Sequence, residues 1–180
     1  MNDFQKLLVE RHSIRRYTDQ PISPDNVKTI LEAALLAPSS KSKRPWQFVV
    51  VDDKEMLAHL AGCKPVAAHA IRNAAFAVVV LVNPGESDMY IEDAAIAAEF
   101  MQLQAAALGI GSCWIQVRER YSENGEPAGN MIQQALEIPE YLKVECVMSF
   151  GYSAEVRRPV DLEKLKWEKV FIGKWEYREQ

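Results

Sequence analysis

Along this 180-residue chain the spacing of apolar residues switches repeatedly between a helical and a strand period. Phe4, Leu7 and Leu8 recur at i, i+3 and i+4 behind Asp3, a side chain able to cap a helix, which predicts a first helix ending near Glu10. Ser23-Pro24 sets a capping hydroxyl before a proline at the first helical position. Val27, Ile30, Leu31, Ala34 and Leu35 then form one apolar face until Pro38, predicting a second helix. WQFVVVDD (46–53) and FAVVVLVN (76–83) are β-branched runs too short for helices and flanked by turn formers, so they read as strands buried on both faces. Short helices are expected at 54–61 and 65–73. From Tyr90 to Leu108 the chain is alanine-rich and apolar all round, then meets Gly109, which suits the left-handed position after a helix end; a long, centrally buried helix follows. SCWIQV (112–117) and VECVMSFGY (144–152) add two strands, separated by a helix at 128–137. No repeat, low-complexity run or linker interrupts the pattern, which predicts one α+β or α/β domain over residues 1–180.

The tail is different in kind. After RRP (157–159) it carries Trp167, Phe171, Trp175 and Tyr177. Each such ring removes about 150 Å² or more from water when docked, so the segment requires a surface to lie on.

Composition narrows the classes. With 48% apolar residues the chain is able to bury roughly 70% of the surface its unfolded form exposes. A net charge of -4 argues against nucleic acid or an anionic membrane as the main partner. Cys63, Cys113 and Cys146 form no CxxC pair and have no histidine cluster beside them, so neither a metal site nor a disulfide framework is expected, and buried free thiols are. The longest apolar runs fall far short of a membrane span and the N-terminus opens into an amphipathic segment rather than a signal peptide, which together predict a cytoplasmic protein.

The candidate chemistry starts at RHSIRRY (11–17). If residues 11–15 run extended, Arg11, Ser13 and Arg15 project from one side, and two guanidinium forks with a hydroxyl suit a phosphate or carboxylate. A solvated surface cluster or a charge cap at the helix end explains the same residues. APSSKSKRPW (37–46) lies between a helix end and a strand, with serines and backbone amides able to hydrogen-bond a heteroaromatic edge; its Lys41, Lys43 and Arg44 read either as a solvated basic loop or as an attractor for an anionic reductant. His12 reads as a packing or phosphate-edge residue rather than a proton shuttle, and Asp93 and Glu99 as cap or interface groups. Gly109-Ile110-Gly111 is only a fragment of a dinucleotide fingerprint: Trp114 takes the third glycine position, and the motif follows a helix and precedes a strand. Ser112, His59 and Asp93 lack the nucleophile elbow of a hydrolase triad.

RHSIRRY, APSSKSKRPWQF, LGIGSCW and GYSAEVRRP, in that order across nearly the whole chain, resemble the FMN-dependent nitroreductase family. The resemblance implies an α+β sandwich, a mainly antiparallel central sheet flanked by helices, in an intertwined homodimer whose C-terminal stretch, here 160–180, wraps the partner. It implies that Arg11, His12, Ser13 and Arg15 hold the phosphate and ribityl chain of FMN. Pro38, Ser39, Ser40 and Ser42 would meet the flavin bound mainly by the other subunit. Gly111, Ser112 and Cys113 would lay their backbone beside the isoalloxazine, and Arg157 would return to the phosphate. The reaction implied is ping-pong reduction of nitroaromatics, quinones or similar acceptors by NAD(P)H, with no catalytic side chain because hydride chemistry belongs to the flavin N5. Departures from the family pattern are Ser42 for asparagine, Arg44 for glutamine and Phe171 for histidine. Other readings that share the cofactor site are an FMN store or redox sensor without turnover, and a flavin-dependent dehalogenase or flavin-fragmenting enzyme.

Overall fold

A computed structural model of the chain describes residues 1–66 and 68–175. Helix α1 (Asp3–Glu10) starts from Asn2, whose side chain accepts the Gln5 N–H at 2.8 Å; Asn2 rather than Asp3 is the cap, and Asp3 occupies the first turn. Helix α2 (Pro24–Leu36) opens on the Ser23 hydroxyl and stops where Ala37 turns extended before Pro38. Strand β1 (Trp46–Val51), helices α3 (Lys54–Leu60) and α4 (His69–Arg72), and strand β2 (Phe76–Val82) follow. Then come the long helix α5 (Tyr90–Ala107), β3 (Gly111–Gln116), α6 (Ala128–Ala135) and β4 (Lys143–Gly151). The second short helix is shorter than the sequence predicts: it begins at His69, past Pro65.

The four strands form one sheet in the order β1-β2-β4-β3, every neighbouring pair antiparallel. Alternation divides each strand between two cores. Val78 and Val80 pack with Ile30 and Ala34 of α2 and Ala94, Ala98 and Met101 of α5. Val79 and Leu81 pack on the opposite face with Leu57, Leu60, Ile71 and Ile132 from α3, α4 and α6. Helices therefore cover both faces, and β2, central in this arrangement, is buried along its whole length. β1 departs from the expectation of two-sided burial: it is an edge strand, and Val50 is 42% exposed.

Small residues let α5 lie close on the sheet, where Ala94, Ala97, Ala98 and Ala105 are all solvent-free. Gly109 then takes φ +71° to turn the chain into β3. Beyond β4 the chain lacks any regular element longer than two short 3₁₀ turns among the described residues. Trp167 is 67% and Trp175 70% exposed, so these two rings of the described tail are not buried on their own protomer; the Phe171 and Trp175 rings lie 5.9 Å apart between centres, tilted at 42°. Tyr177 lies outside the described residues.

Candidate functional site

The RHSIRRY segment leaves α1 through Arg11, whose N–H still reaches Leu7 O at 2.9 Å while its own ψ of 129° is extended. It then runs beside β3, with Ile14 N–H donating to Ser112 O at 2.8 Å and Ser13 bridged to Ser112 in parallel. Two inward anchors hold it there. Ile14 packs in the core against Gly111, where an added Cβ would stand 3.0 Å from the Ile14 side chain. Tyr17 is buried, and its hydroxyl donates to Ile14 O at 2.7 Å and lies 2.8 Å from Ser149 Oγ. Burial raises the Tyr17 phenol well above its ordinary value, so it remains a neutral donor. With Ile14 turned inward, alternation sends Ser13 and Arg15 to the other side of the segment.

Around this segment the structure assembles charge. Arg11 Nη1 donates to Gln102 Oε1 (3.3 Å), and Gln102 Nε2 donates to Ser112 Oγ (3.2 Å). Glu155 Oε1 accepts the backbone N–H groups of Arg15 (2.8 Å) and Arg16 (3.2 Å), while its Oε2 pairs with the Arg157 guanidinium at 2.8 Å. The two amides and the guanidinium hold the Glu155 carboxyl below its usual value, the Arg15 N–H being the largest influence. Arg11, His12, Gly111, Ser112, Glu155 and Arg157 line a common cavity of about 550 Å³. His12 Nε2 is shut off from solvent without a hydrogen-bond partner. Ser13 and Arg15 are not among the cavity's lining residues; both are partly buried, and among the described residues the Ser13 hydroxyl and Arg15 guanidinium also make no hydrogen bond or ion pair. Donors left free in this way fit a bound group that carries an anion and hydroxyls.

Cys113 follows Ser112 on β3 but turns its side chain into the core; burial pushes its thiol up, as it does those of Cys63 and Cys146. None of the three has the lowered value of a reactive thiolate. Cys113 is not among the cavity's lining residues.

Pro38, Ser39, Ser40 and Ser42 are not among the cavity's lining residues. Their loop is docked at the start of α5 instead. Asp93, buried there, accepts the Ser40 N–H at 2.7 Å and the Ser87 hydroxyl at 3.2 Å; Ser39 Oγ accepts the Arg44 N–H at 2.9 Å, and Lys43 Nζ reaches Glu86 O at 2.7 Å. Lys41, Ser42 and Arg44 have φ of 52°, 53° and 49°, a left-handed conformation that costs a non-glycine residue about 1 kcal/mol or more each. Gln102 lies nine residues beyond Asp93 on the same helix, roughly 14 Å along its axis. One chain thus keeps the loop and the arginine cluster apart.

Gln102 and Glu155 escape the sequence reading. Gln102 had a readable signal: it follows Ala98 by four and precedes Ala105 by three, which puts an amide on the buried face of an alanine-rich helix. Glu155 stands in an irregular stretch with no period to expose it.

Residues 8–63 and 61–152 match the model of the Nitroreductase family. An FMN-dependent nitroreductase from Clostridium difficile R20291 superposes with a TM-score of 0.91 at 44% identity, over 94% of this chain and 98% of that one. An Archaeoglobus fulgidus protein, provisionally named an NADH dehydrogenase/NAD(P)H nitroreductase, is 38% identical over 156 residues, 84% of this chain and 86% of its own. A provisionally named nitroreductase from Desulfovibrio desulfuricans, solved in complex with FMN, is 28% identical with a TM-score of 0.74, over 96% of this chain and 99% of that one. The chain belongs to the nitroreductase family, and its helix-flanked antiparallel sheet is that family's fold.

Proposed function

We propose that this chain is one FMN-binding domain of an NAD(P)H-dependent oxidoreductase that reduces nitroaromatics, quinones or similar small acceptors by a ping-pong cycle, and that it works as an intertwined homodimer. The observation that carries the reading is Arg11, Arg157 and the unpartnered His12 Nε2 at one cavity of a nitroreductase-family chain, with the Ser13 hydroxyl and Arg15 guanidinium, on the same segment but outside that cavity's lining, also without internal partners. Arg11, Ser13, Arg15 and Arg157 would hold the phosphate end, guanidinium forks matching its oxygens, and His12 the phosphate edge or ribityl chain. Gly111, Ser112 and Cys113 would border the ring with backbone, since the Ser112 and Cys113 side chains are turned to Gln102 and to the core. Bound FMN supplies the hydride chemistry. The chain's own contribution is to orient that group, to keep an accessible face beside it for reductant and acceptor in turn, and to surround it with positive charge. No side chain is assigned a dedicated proton-transfer role.

The half-site geometry supports the dimer: Pro38, Ser39, Ser40 and Ser42 would complete the site of the other subunit, and the exposed tail from residue 160 would lie on that subunit. Among the described residues no helix is long and apolar enough to cross a membrane, and three buried thiols suit a reducing cytoplasm. The test is the spectrum and turnover of the purified protein. Flavin absorbance, release of FMN on denaturation, and acceptor-dependent oxidation of NADH or NADPH are expected. A colourless protein that takes up no FMN would end this reading, and bound FMN inert to both nicotinamides would mark a store or sensor instead.

A further inference from the structure

Glu155 has no role in the function proposed above, yet it is the most connected side chain at the cavity. The short contacts of its two oxygens go to different chain segments. Oε1 takes the Arg15 and Arg16 amides of the N-terminal extended segment, and Oε2 takes the guanidinium of Arg157, two residues further along its own segment. Oε2 also makes a weaker contact with the Arg16 guanidinium at 3.9 Å, where the arginine is 75% exposed. The segments are also tied by Ala154 N–H to Arg16 O at 2.9 Å, but that bond stops short of Arg157. Val156, between Glu155 and Arg157, is 98% exposed and gives the chain no packing anchor. An arginine on such a stretch has many rotamers, and ordering it on a ligand works against binding.

We infer that Glu155 is a positioning residue, a carboxylate that fixes the Arg157 guanidinium at the cavity so that its remaining N–H groups meet an incoming phosphate. The pair uses Nη2 of Arg157, leaving the other donors of the fork free for the anion. Glu155 itself touches no ligand in this arrangement and acts through Arg157 and the Arg15 amide. The inference rests on the FMN reading, and it predicts which part of FMN is affected.

The experiment titrates the full-length chain with FMN and with riboflavin, which lacks the phosphate, by quenching of flavin fluorescence. Wild type, Glu155→Gln, Glu155→Asp, Arg157→Ala and the double variant Glu155→Gln/Arg157→Ala are compared. The preference for FMN over riboflavin should fall about 10- to 100-fold in Glu155→Gln, the worth of one well-placed charge-assisted contact, and by less in Glu155→Asp, with riboflavin affinity little changed. On the Arg157→Ala background, Glu155→Gln should change that preference no further. A general loosening of the fold would weaken both flavins alike and add to Arg157→Ala. That result overturns the inference, as does a Glu155→Gln variant that prefers FMN as strongly as wild type or more strongly, the latter marking Glu155 as a competitor of the phosphate. If Glu155→Gln does not fold, the shorter Glu155→Asp decides alone: unchanged preference overturns the role. A wild-type chain with no preference for FMN refutes the phosphate reading itself, and this inference with it.

Discussion

Replacing Gly151 by alanine tests whether the N-terminal segment is held as described. A Cβ built there would lie 2.6 Å from Tyr17 Cγ, 2.7 Å from Cδ1 and 2.8 Å from Cβ. Ring rotation cannot relieve the last of these, because Tyr17 Cβ moves only with its backbone. That backbone is pinned on both sides, by Thr18 N–H to Tyr152 O and Ala154 N–H to Arg16 O, each 2.9 Å. Overpacking of this kind costs about 1–3 kcal/mol. If Tyr17 is driven out, its bonds to Ile14 O and to Ser149 are lost as well, at about 1 kcal/mol each. A total of about 3–5 kcal/mol corresponds to a fall in Tm of roughly 6–20 °C for a chain of this size. Thermal unfolding followed by circular dichroism, on flavin-free protein, gives the number directly. Because Ile14 O is released with Tyr17, flavin retention should fall in the same variant. Gly129→Ala is the control: its added Cβ meets nothing closer than 3.9 Å, and a glycine replaced inside α6 should leave Tm unchanged or raise it. A Gly151→Ala protein melting within about a degree of wild type would refute the packing described between β4 and the RHSIRRY segment.

Arg15→Ala should weaken FMN binding by about 2–5 kcal/mol, read from flavin content and the dissociation constant; unchanged values would remove Arg15 from the site. Asp93→Asn should loosen the Ser39–Arg44 loop by weakening the acceptor of the Ser40 N–H, raising hydrogen exchange there with little change in β2; equal protection in both proteins would show that Asp93 does not hold the loop. The Glu155 carboxyl is depressed in the folded chain, so its stabilising contribution is complete above the unfolded value of about 4.3 and disappears as pH falls through the lower folded value. The stability gap between wild type and Glu155→Gln should therefore be flat from pH 7 to about 5 and shrink below about 4; a gap unchanged into strong acid would contradict the ionised clamp. Ending the chain after Glu163 should disrupt the proposed dimer and lower flavin retention, as seen by sedimentation and absorbance. A shortened protein that remains dimeric and yellow would relieve the tail of that role.

The elements of the fold were legible because the pattern that builds them is periodic. FAVVVLV is an unbroken apolar run and becomes β2, the strand buried on both faces; Tyr90–Ala107 is apolar all round and becomes the helix between sheet and α2. WQFVVV has the same β-branched character but lies at the sheet's edge, since strand order is decided by pairing between distant segments and not by local composition. Ser23 announces its helix through the proline that follows, whereas Asn2 loses to Asp3 in a reading that looks only one residue before the apolar positions. At the site, Arg11, Ser13 and Arg15 were visible as donors, but the odds between an anion site and a solvated cluster depend on which of them acquire internal partners. That depends on Gln102 and Glu155, which lie 91 and 140 residues away in sequence from the groups they bind.

Helix α5 has a further consequence, one of phase rather than length. The nine residues from Asp93 to Gln102 make two and a half turns of an α-helix, so the two side chains leave it in opposite directions. One fastens the strained serine loop, the other braces Arg11 and Ser112. Within one chain the helix thus holds its two fittings half a turn out of register and roughly 14 Å apart along its axis. In the proposed dimer, a second rod related to the first by a twofold axis would set the loop of one chain against the arginines of the other. In the proposed enzyme, site number and symmetry would then be inseparable: two flavins per dimer, neither enclosed until both chains are folded.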